Sequence, residues 1–401
     1  MSFHTRVITL DSAEKAGRAM QALGADPCGI AIMQNKALFR AIKVEGLATK
    51  AANILKQTML AKGGEAAVRR GTVNLSADET DVLLFGTVRQ YQQAIAQLRL
   101  QPWGLKQLAG ELQQVIVSAG GQITRSWTWG DKKLVIEPNH TLVMGILNVT
   151  PDSFSDGGRF NSFDKAIAHM EEMIEAGADI IDIGAESTRP YGNNEFVTAE
   201  VEIERLMPIL EEVLKRTTVP VSVDTYKAEV ARRALASGAH IINDVWGLQY
   251  DNGEMASVVA EYDVPIIAMH NRQETRYSAD IMSDLIAFFE KSIDIGMQAG
   301  IKRESFIVDP GIGFAKELEH NLAIMSRLEE LHGLGCPVLL ASSRKRCIGE
   351  VLDLDVTERV EGTMGTVATG VMKGAQIVRV HDVKEVKRMT RMMNAIQRAG
   401  I

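Results

Sequence analysis

The strongest constraint in this 401-residue sequence is a strict alternation of short apolar segments and longer helix-like segments from about residue 142 onward. Eight apolar segments predict buried strands: 143–147, 180–183, 219–223, 241–245, 265–269, 306–308, 338–340 and 377–380. Eight segments predict helices: 163–175, 199–215, 227–236, 254–262, 284–299, 318–331, 358–373 and 383–398. Strict alternation implies parallel strands. Eight such units over roughly 260 residues favour an α/β fold of the closed (β/α)8 type, a TIM barrel.

A doubly wound open sheet is the alternative architecture, because it also alternates strands and helices. Its dinucleotide-binding version normally carries a GxGxxG motif directly after the first strand. No such motif follows residues 143–147. The closed barrel is therefore the preferred interpretation.

The residues before the barrel predict a smaller N-terminal α+β domain over residues 1–120. Its predicted strands are 6–10, 37–44, 72–75 and 81–88, and its predicted helices are 12–23, 48–61, 90–98 and 105–117. Gly120 and Gly121 mark the boundary, so the second domain spans 121–401. It opens with a predicted β-hairpin, 123–129 and 132–136, around the turn-favouring pair Gly130-Asp131. The N-terminal domain shows no chemical constellation, and its role is unknown; packing or subunit contact is the simplest interpretation.

Composition excludes several classes of protein. The formal net charge of −7 argues against a nucleic-acid binder, which usually has a basic surplus. No apolar run approaches the roughly 18 residues that suggest a membrane span, and the N-terminus has no secretory pattern. Cys28, Cys336 and Cys347 are odd in number and lack metal-ligand spacing. Free thiols in a reducing cytoplasm are therefore expected.

Polar residues stand at or just after the predicted strand ends, where the catalytic face of such a barrel is built. A single polar residue there is commonly structural, but this set converges on one face, whereas the opposite strand ends carry ordinary turn residues. The set comprises Asn148, Asp182, Asp224, Asn243, Asp244, Met269, His270, Asp309, Ser342, Ser343, Arg344, Lys345, Arg346, Arg379 and His381.

The residue types indicate two neighbouring binding functions. Carboxylates and an amide in an apolar pocket suit an amino-substituted heterocycle, with Lys345 near a ring carbonyl or nitrogen and Met269 against an aromatic face. Arg379 and His381 together suit a phosphate or oxyanion. Asn148 is a neutral oxygen ligand suited to Mg²⁺. A planar heterocycle with a phosphate-type leaving group would satisfy both functions.

These residues lie in motifs that resemble those of the dihydropteroate synthase family. The motifs are VMGILNVTPDSFSDGG, DIGAESTRP, SVDTYKAEVA, IINDVWG, MHNR, VDPGIGFAK, SSRK and VRVHDV. They occur in the right order and at the right barrel positions, from about residue 123 to the C-terminus. The first 120 residues lie outside the resemblance.

The resemblance implies a transferase of folate biosynthesis, which condenses 6-hydroxymethyl-7,8-dihydropterin diphosphate with 4-aminobenzoate and releases pyrophosphate. It implies a dissociative reaction, a Mg²⁺ ion and a homodimer. The catalytic residues would be Asp224, Asp309, Lys345, Arg379 and His381. The pterin would contact Asp224, Asn243, Met269, Asp309 and Lys345, and the diphosphate would contact Asn148, Arg379 and His381, with Asn148 also on Mg²⁺. Two lid loops and the 4-aminobenzoate pocket would include Phe154, Asp156, Ser187, Thr188, Arg189 and Pro190.

One departure from the family pattern bears on the second substrate. Arg346 replaces a small hydroxyl residue expected near the carboxylate of 4-aminobenzoate. The guanidinium could pair with that carboxylate or crowd the pocket. Two other functions are compatible with the fold: a pterin-dependent methyltransferase, which would not need the NVTPDSFSD, STRP and SRK motifs, and an inactive pterin-binding module.

Overall fold

The computed structural model describes residues 2–121, 123–149, 158–186 and 197–399, with the backbone alone described over 158–162. The described residues divide into two compact units. One contains the chain up to Gly120, and the other spans Gly121–Ala399. Each unit has its own hydrophobic core.

The N-terminal unit is a three-stranded antiparallel sheet with helices. Its strands are β1 (Phe39–Ala48), β2 (Glu65–Val68) and β3 (Glu79–Thr87), in the order β1-β3-β2. Its helices are α1 (Ala13–Ala22), α2 (Pro27–Met33), α3 (Thr49–Ala61), α4 (Val88–Leu98) and α5 (Leu105–Ser118). Residues of α3, α4, α5 and the sheet form one apolar cluster that includes Leu55, Leu84, Tyr91 and Leu112.

Two predicted strands of this unit are wrong. Residues 6–10 form no regular structure and are largely exposed, and no described strand supplies the hydrogen-bonding partner that an extended segment requires. Residues 72–75 instead end a 3-10 helix, Arg70–Thr72, and continue into a turn in which Leu75 has a φ of +57°. Strand β2 and helix α2 were not predicted, because both are short and carry little periodicity.

The second unit contains an eight-stranded parallel sheet that closes into a barrel, as predicted. Its strands are β6 (Leu142–Asn148), β7 (Ile180–Gly184), β8 (Val221–Asp224), β9 (Ile241–Asp244), β10 (Ile266–Met269), β11 (Phe306–Asp309), β12 (Leu339–Leu340) and β13 (Ile377–Val380). Their order is β11-β10-β9-β8-β7-β6-β13-β12. A bridge between Val308 and Val338, where the Val308 N–H donates to the Pro337 carbonyl at 2.9 Å, connects the last pair.

Nine described helices belong to this unit: α6 (Gly158–Glu175), α7 (Ala199–Arg216), α8 (Ala228–Ala236), α9 (Glu254–Tyr262), α10 (Ile281–Ala299), α11 (Leu318–Ser326), α12 (Arg346–Leu352), α13 (Val360–Met372) and α14 (Val383–Ala399). The helix predicted over 318–331 is divided: α11 ends at Ser326, and a 3-10 helix follows over Leu328–Leu334. Helix α12, directly after Lys345, was not predicted. Within the described residues, every helix is too short or too polar to cross a bilayer.

A predicted hairpin covers the barrel end opposite the polar strand ends. Strands β4 (Arg125–Trp129) and β5 (Lys132–Ile136) pair antiparallel. Leu134 and Ile136 pack with inward side chains of the barrel strands in one cluster. Burying each such side chain stabilises the fold by about 1.5–3 kcal/mol. The interior is thus apolar and packed at its amino end, so polar chemistry is confined to the carboxyl end.

Candidate active site

Strand register brings the predicted site residues together at the carboxyl end of the barrel. Asp224 is opposite Asn243 in the pairing of β8 with β9, and Met269 is opposite Asp309 in the pairing of β10 with β11. Alternate residues of a strand point to the same face, so these side chains share the interior above the apolar layer. Asn243, Met269 and Asp309 are all buried.

Arg379 lies at the centre of the polar cluster and joins two carboxylates. Its Nε donates to Oδ2 of Asp182 at 2.6 Å, and its Nη2 donates to Oδ2 of Asp224 at 2.8 Å. Oδ2 of Asp182 also accepts from Nδ2 of Asn243 at 3.2 Å. The guanidinium therefore connects strands β7, β8 and β13. Asp182 extends this network to Asn243 of β9.

The electrostatics of this cluster depend on burial. Burial raises the pKa of Asp224; Arg379 opposes this rise, and the neighbouring Asp182 carboxylate adds to it. Burial alone would lower the pKa of Arg379, but the carboxylates of Asp182 and Asp224 hold that pKa above its ordinary value. Oδ1 of Asp182 and Oδ1 of Asp224 are buried and have no hydrogen-bond partner in the described structure. These oxygens are acceptors available for N–H donors.

Asp309 ends β11 and Lys345 lies in the loop after β12, on the other side of the barrel. Oδ1 of Asp309 accepts from the backbone N–H of Gly311 at 2.8 Å, and burial raises the pKa of this carboxyl group. Nζ of Lys345 lies 4.3 Å from the centre of the Phe314 ring. Burial lowers the pKa of Lys345 to about 8. The amine is thus a hydrogen-bond donor whose charge can change near neutral pH.

An apolar wall borders these polar groups. Met269 clusters with the buried side chains of Tyr226 and Val245, and the partly buried rings of Trp246 and Phe314 pack against them. Neither Trp246 nor Phe314 was among the predicted site residues. Both lie in the quoted motifs IINDVWG and VDPGIGFAK, which was the signal available for finding them. A planar ligand between the charged groups and this wall can form hydrogen bonds at its ring edges and packing contacts at its faces.

His381 and Asn148 lie at the ends of two adjacent strands, β13 and β6. The backbone N–H of His381 donates to Oγ of Ser343 at 3.1 Å, and this hydroxyl lies 3.0 Å from Nδ1 of the same histidine. Because the hydroxyl accepts the N–H, its own proton can be donated to Nδ1. Asn148 is opposite Gly184 in β7, where a Cβ would lie 3.8 Å from Oδ1 of Asn148 and 3.5 Å from Cβ of Asp224. Glycine thus keeps space open between these two side chains.

Arg346 lies at the first position of α12, and its side chain is 64% exposed. Its Nε donates to Oε1 of Glu350 at 2.6 Å. The guanidinium therefore points toward solvent and does not fill the barrel interior. Phe154, Asp156, Ser187, Thr188, Arg189 and Pro190 lie outside the described residues.

A second polar network lies beside the site and was not predicted as a unit. Nζ of Lys316 is 2.8 Å from Nδ1 of His270 and donates to the Phe314 carbonyl at 3.0 Å. Nε2 of His270 is 3.0 Å from Oδ1 of Asp284. Oδ2 of the same carboxylate accepts from Arg272 at 2.8 Å. Burial lowers the pKa of Lys316 to about 7 and the pKa of His270 to about 4.

The side chains at the carboxyl end of the barrel suit a metal ion that binds together with a phosphate group. Among the described residues, no three His, Cys, Asp or Glu side chains are grouped to hold a metal. Asn148 supplies a single amide oxygen at the end of β6, the strand that pairs with the one carrying Arg379 and leading to His381. Mg²⁺ commonly binds proteins through one or two oxygen ligands, keeping waters and substrate phosphates as the others.

Comparison with known proteins agrees with this geometry. The family model described as "Pterin binding enzyme" matches residues 144–381. A dihydropteroate synthase of Bacillus subtilis (strain 168) is 55% identical over 260 residues, which are 65% of this chain and 90% of that protein.

Two further relatives extend the comparison. A probable bifunctional folylpolyglutamate synthase/dihydropteroate synthase of Halobacterium salinarum is 38% identical over 382 residues, covering 94% of this chain and 45% of that protein. The crystal structure of a dihydropteroate synthase from Clostridium difficile in the presence of pteroic acid has a TM-score of 0.63 and 48% identity, and the match covers 65% of this chain and 97% of that one. The chain therefore belongs to the family of pterin binding enzymes, with dihydropteroate synthases as its relatives.

Proposed function

We propose that this chain is a dihydropteroate synthase of folate biosynthesis. It joins 6-hydroxymethyl-7,8-dihydropterin diphosphate to 4-aminobenzoate, forming 7,8-dihydropteroate and pyrophosphate. The observation that carries the proposal is the position of Arg379, bonded to Asp182 and Asp224 at the carboxyl end of a barrel that also presents Asp309 and Lys345 there. Acceptors for ring N–H groups and a cation for a leaving anion are therefore adjacent.

The pterin occupies the interior between the two aspartates. Oδ1 of Asp224, which has no partner within the described structure, accepts a ring N–H, and Asp309 and Asn243 bind the remaining polar edge. Lys345 donates to a ring carbonyl or nitrogen, and Met269 packs against the ring face. Each buried donor and acceptor of the ligand thus meets a complementary group, as specificity for a polar heterocycle requires.

Arg379, His381 and Asn148 bind the diphosphate. Arg379 is a permanent cation, and Ser343 orients the His381 ring through the contact with Nδ1. Asn148 would hold a Mg²⁺ ion, which, when bound, neutralises charge on the leaving pyrophosphate. Removing divalent ions with EDTA is expected to abolish turnover, and adding Mg²⁺ is expected to restore it.

The reaction is dissociative. The bond between the pterin methylene carbon and the diphosphate oxygen breaks, and its electron pair leaves with pyrophosphate. The arylamine nitrogen then donates its lone pair to the methylene carbon and loses one proton. Arg379 and His381 stabilise the leaving anion, while the carboxylates of Asp224 and Asp309 offset positive charge on the pterin. A dissociative reaction of this kind requires no strong general base.

We propose from the sequence motifs that 4-aminobenzoate binds against the loops that carry Phe154, Asp156 and 187–190, near Arg346. We also propose a homodimer formed through the later helices, since Met372, Met392 and Ile396 on α13 and α14 are exposed. A cytoplasmic location is supported by the free thiols of Cys28, Cys336 and Cys347.

The test is pyrophosphate release by purified protein with Mg²⁺. Release is expected only when the pterin diphosphate and 4-aminobenzoate are both present. Absence of release from a folded protein with both substrates would reject the proposed function.

A further inference from the structure

Asp182 is a fully buried carboxylate that the proposed roles leave unassigned. It lies in the middle of β7, among the apolar residues Ile180, Ile181 and Ile183, and its side chain is 0% exposed. A buried carboxylate is costly unless it is paired and hydrogen-bonded. Its partners are Arg379 at 2.6 Å and Asn243 at 3.2 Å, both at the carboxyl end of the barrel.

The two aspartates engage two of the three guanidinium nitrogens of Arg379. Nε is bonded to Asp182 and Nη2 to Asp224. No hydrogen bond joins Nη1 to another described residue, and the Arg379 side chain is 16% exposed. The guanidinium is planar, so fixing two of its nitrogens also fixes the direction of the third.

We propose that Asp182 is a positioning residue, which orients Arg379 so that Nη1 faces the leaving diphosphate. This inference rests on the proposed function. Because Oδ2 of Asp182 is bonded to Nε of Arg379, its effect on the diphosphate passes through Arg379. Asp224 cannot replace it, because Asp224 is bonded to Nη2 and only Asp182 is bonded to Nε. Charge-assisted hydrogen bonds such as that between Nε and Asp182 are stronger than neutral ones. This bond is therefore expected to persist when ligand binds.

The test measures binding of inorganic pyrophosphate with Mg²⁺, and of 6-hydroxymethyl-7,8-dihydropterin without diphosphate, by calorimetry on the full chain. Variants are Asp182→Asn, Arg379→Met and their combination. Asp179→Asn is the matched control, since Asp179 precedes β7 at the opposite end of the barrel, where its carboxylate accepts from Nζ of Lys387 at 2.6 Å and from the backbone N–H of Val143 at 2.7 Å. Thermal unfolding verifies that each variant is folded, and Asp182→Ser is used if the Asn variant does not fold.

Asp182→Asn is expected to weaken pyrophosphate binding about tenfold and pterin binding less than about threefold, because the charge-assisted bond to Arg379 is the stronger of its two contacts. In the Arg379→Met background, the same substitution is expected to have no further effect on pyrophosphate, as for residues that act through one another. The control is expected to bind both ligands normally.

Two results would overturn the inference while leaving the proposed function standing: normal pyrophosphate binding by Asp182→Asn, or an equal additional loss when it is combined with Arg379→Met. Normal pyrophosphate binding by Arg379→Met alone would instead reject the assignment of the diphosphate to Arg379, and with it the role of Asp182.

Discussion

Nζ of Lys345 lies 4.3 Å from the centre of the Phe314 ring, which joins the loop after β12 to the loop after β11. The loops approach closely: a Cβ at Gly313, whose φ is +83°, would lie 3.1 Å from Cδ of Lys345. The aromatic face attracts the ammonium and limits its positions. Phe314 is therefore part of the arrangement that fixes the lysine expected to meet the pterin.

Replacing Phe314 tests that contact. Phe314→Leu is expected to weaken binding of the diphosphate-free pterin about 2- to 30-fold, since a cation–π contact contributes roughly 0.5–2 kcal/mol. Phe314→Tyr keeps the ring and is the control. Calorimetry would contradict the account if the Leu and Tyr variants bound the pterin equally well.

The pH dependence of pterin binding is expected to reflect Lys345. Burial lowers its pKa to about 8, so the free site loses the ammonium as pH rises through that value. Affinity for the pterin is therefore expected to fall above about pH 8. Lys345→Arg cannot lose its charge in this range and is expected to remove that decline. A decline of the same size in the Arg variant would assign it to another group, or to the pterin itself.

Lys316 is expected to affect stability as a function of pH. Its pKa is about 7 in the folded chain, because of burial, and about 10.4 in an unfolded chain. The unfolded state thus binds more protons between these values, so this lysine makes the free energy of unfolding rise with pH across that window and costs stability below it. The charged and titratable groups around it are His270, Asp284, Arg272, Asp309 and Lys345.

Lys316→Met is expected to flatten that rise in urea unfolding followed from pH 7 to pH 10. Lys50, an exposed lysine of α3, supplies the control Lys50→Met, which should keep the wild-type slope. An unchanged slope in Lys316→Met would mean that Lys316 is not held in its uncharged form by burial.

Arg379 and Asp224 contact each other but are expected to serve different parts of the substrate. Arg379→Ala is expected to raise KM for the pterin diphosphate and lower kcat at least about tenfold, because it removes a charged contact to the leaving group. Asp224→Ala is expected to weaken the diphosphate-free pterin by a similar factor. Equal loss of diphosphate-free pterin binding in both variants would contradict this division.

Arg346 is expected to act on 4-aminobenzoate alone. Its guanidinium is exposed and bonded to Glu350, so a substrate carboxylate can approach it only outside the barrel interior. Arg346→Ser is expected to raise KM for 4-aminobenzoate about 1.4- to 5-fold without changing pterin affinity, in the range of an exposed charge pair. Glu350→Gln removes the negative charge that competes for the guanidinium and is expected to lower that KM. An unchanged KM in Arg346→Ser would exclude the pairing.

The barrel was predictable because its signal is repeated. Buried parallel strands are continuous apolar runs, and each ends where a polar residue begins, so Asp224, Asn243 and Asp309 could be placed on one rim from spacing alone. The hairpin formed by 123–129 and 132–136 was also predictable, because a turn-favouring pair separates two short strands. Residues 6–10 have a similar local composition, but whether a short segment becomes a strand depends on a partner that local sequence does not specify.

The pairing within the site was not predictable in the same way. Arg379 is separated from Asp182 by 197 positions and from Asp224 by 155, and their contact arises only when β13 is beside β6 in the closed barrel. The contact of Lys316 with His270 likewise depends on two loops from adjacent strands. The pattern of strands in the sequence shows which residues lie at the carboxyl end of the barrel. The order of the strands in the sheet determines which of these residues are in contact.

The most direct measurement of the central claim is the stoichiometry of a single turnover. Protein in excess over the pterin diphosphate, with Mg²⁺ and 4-aminobenzoate, should yield one pyrophosphate for each 7,8-dihydropteroate, and Arg379→Ala should slow both products equally. Pyrophosphate formed in the presence of 4-aminobenzoate without an equal amount of dihydropteroate would contradict a synthase and indicate hydrolysis of the pterin diphosphate instead.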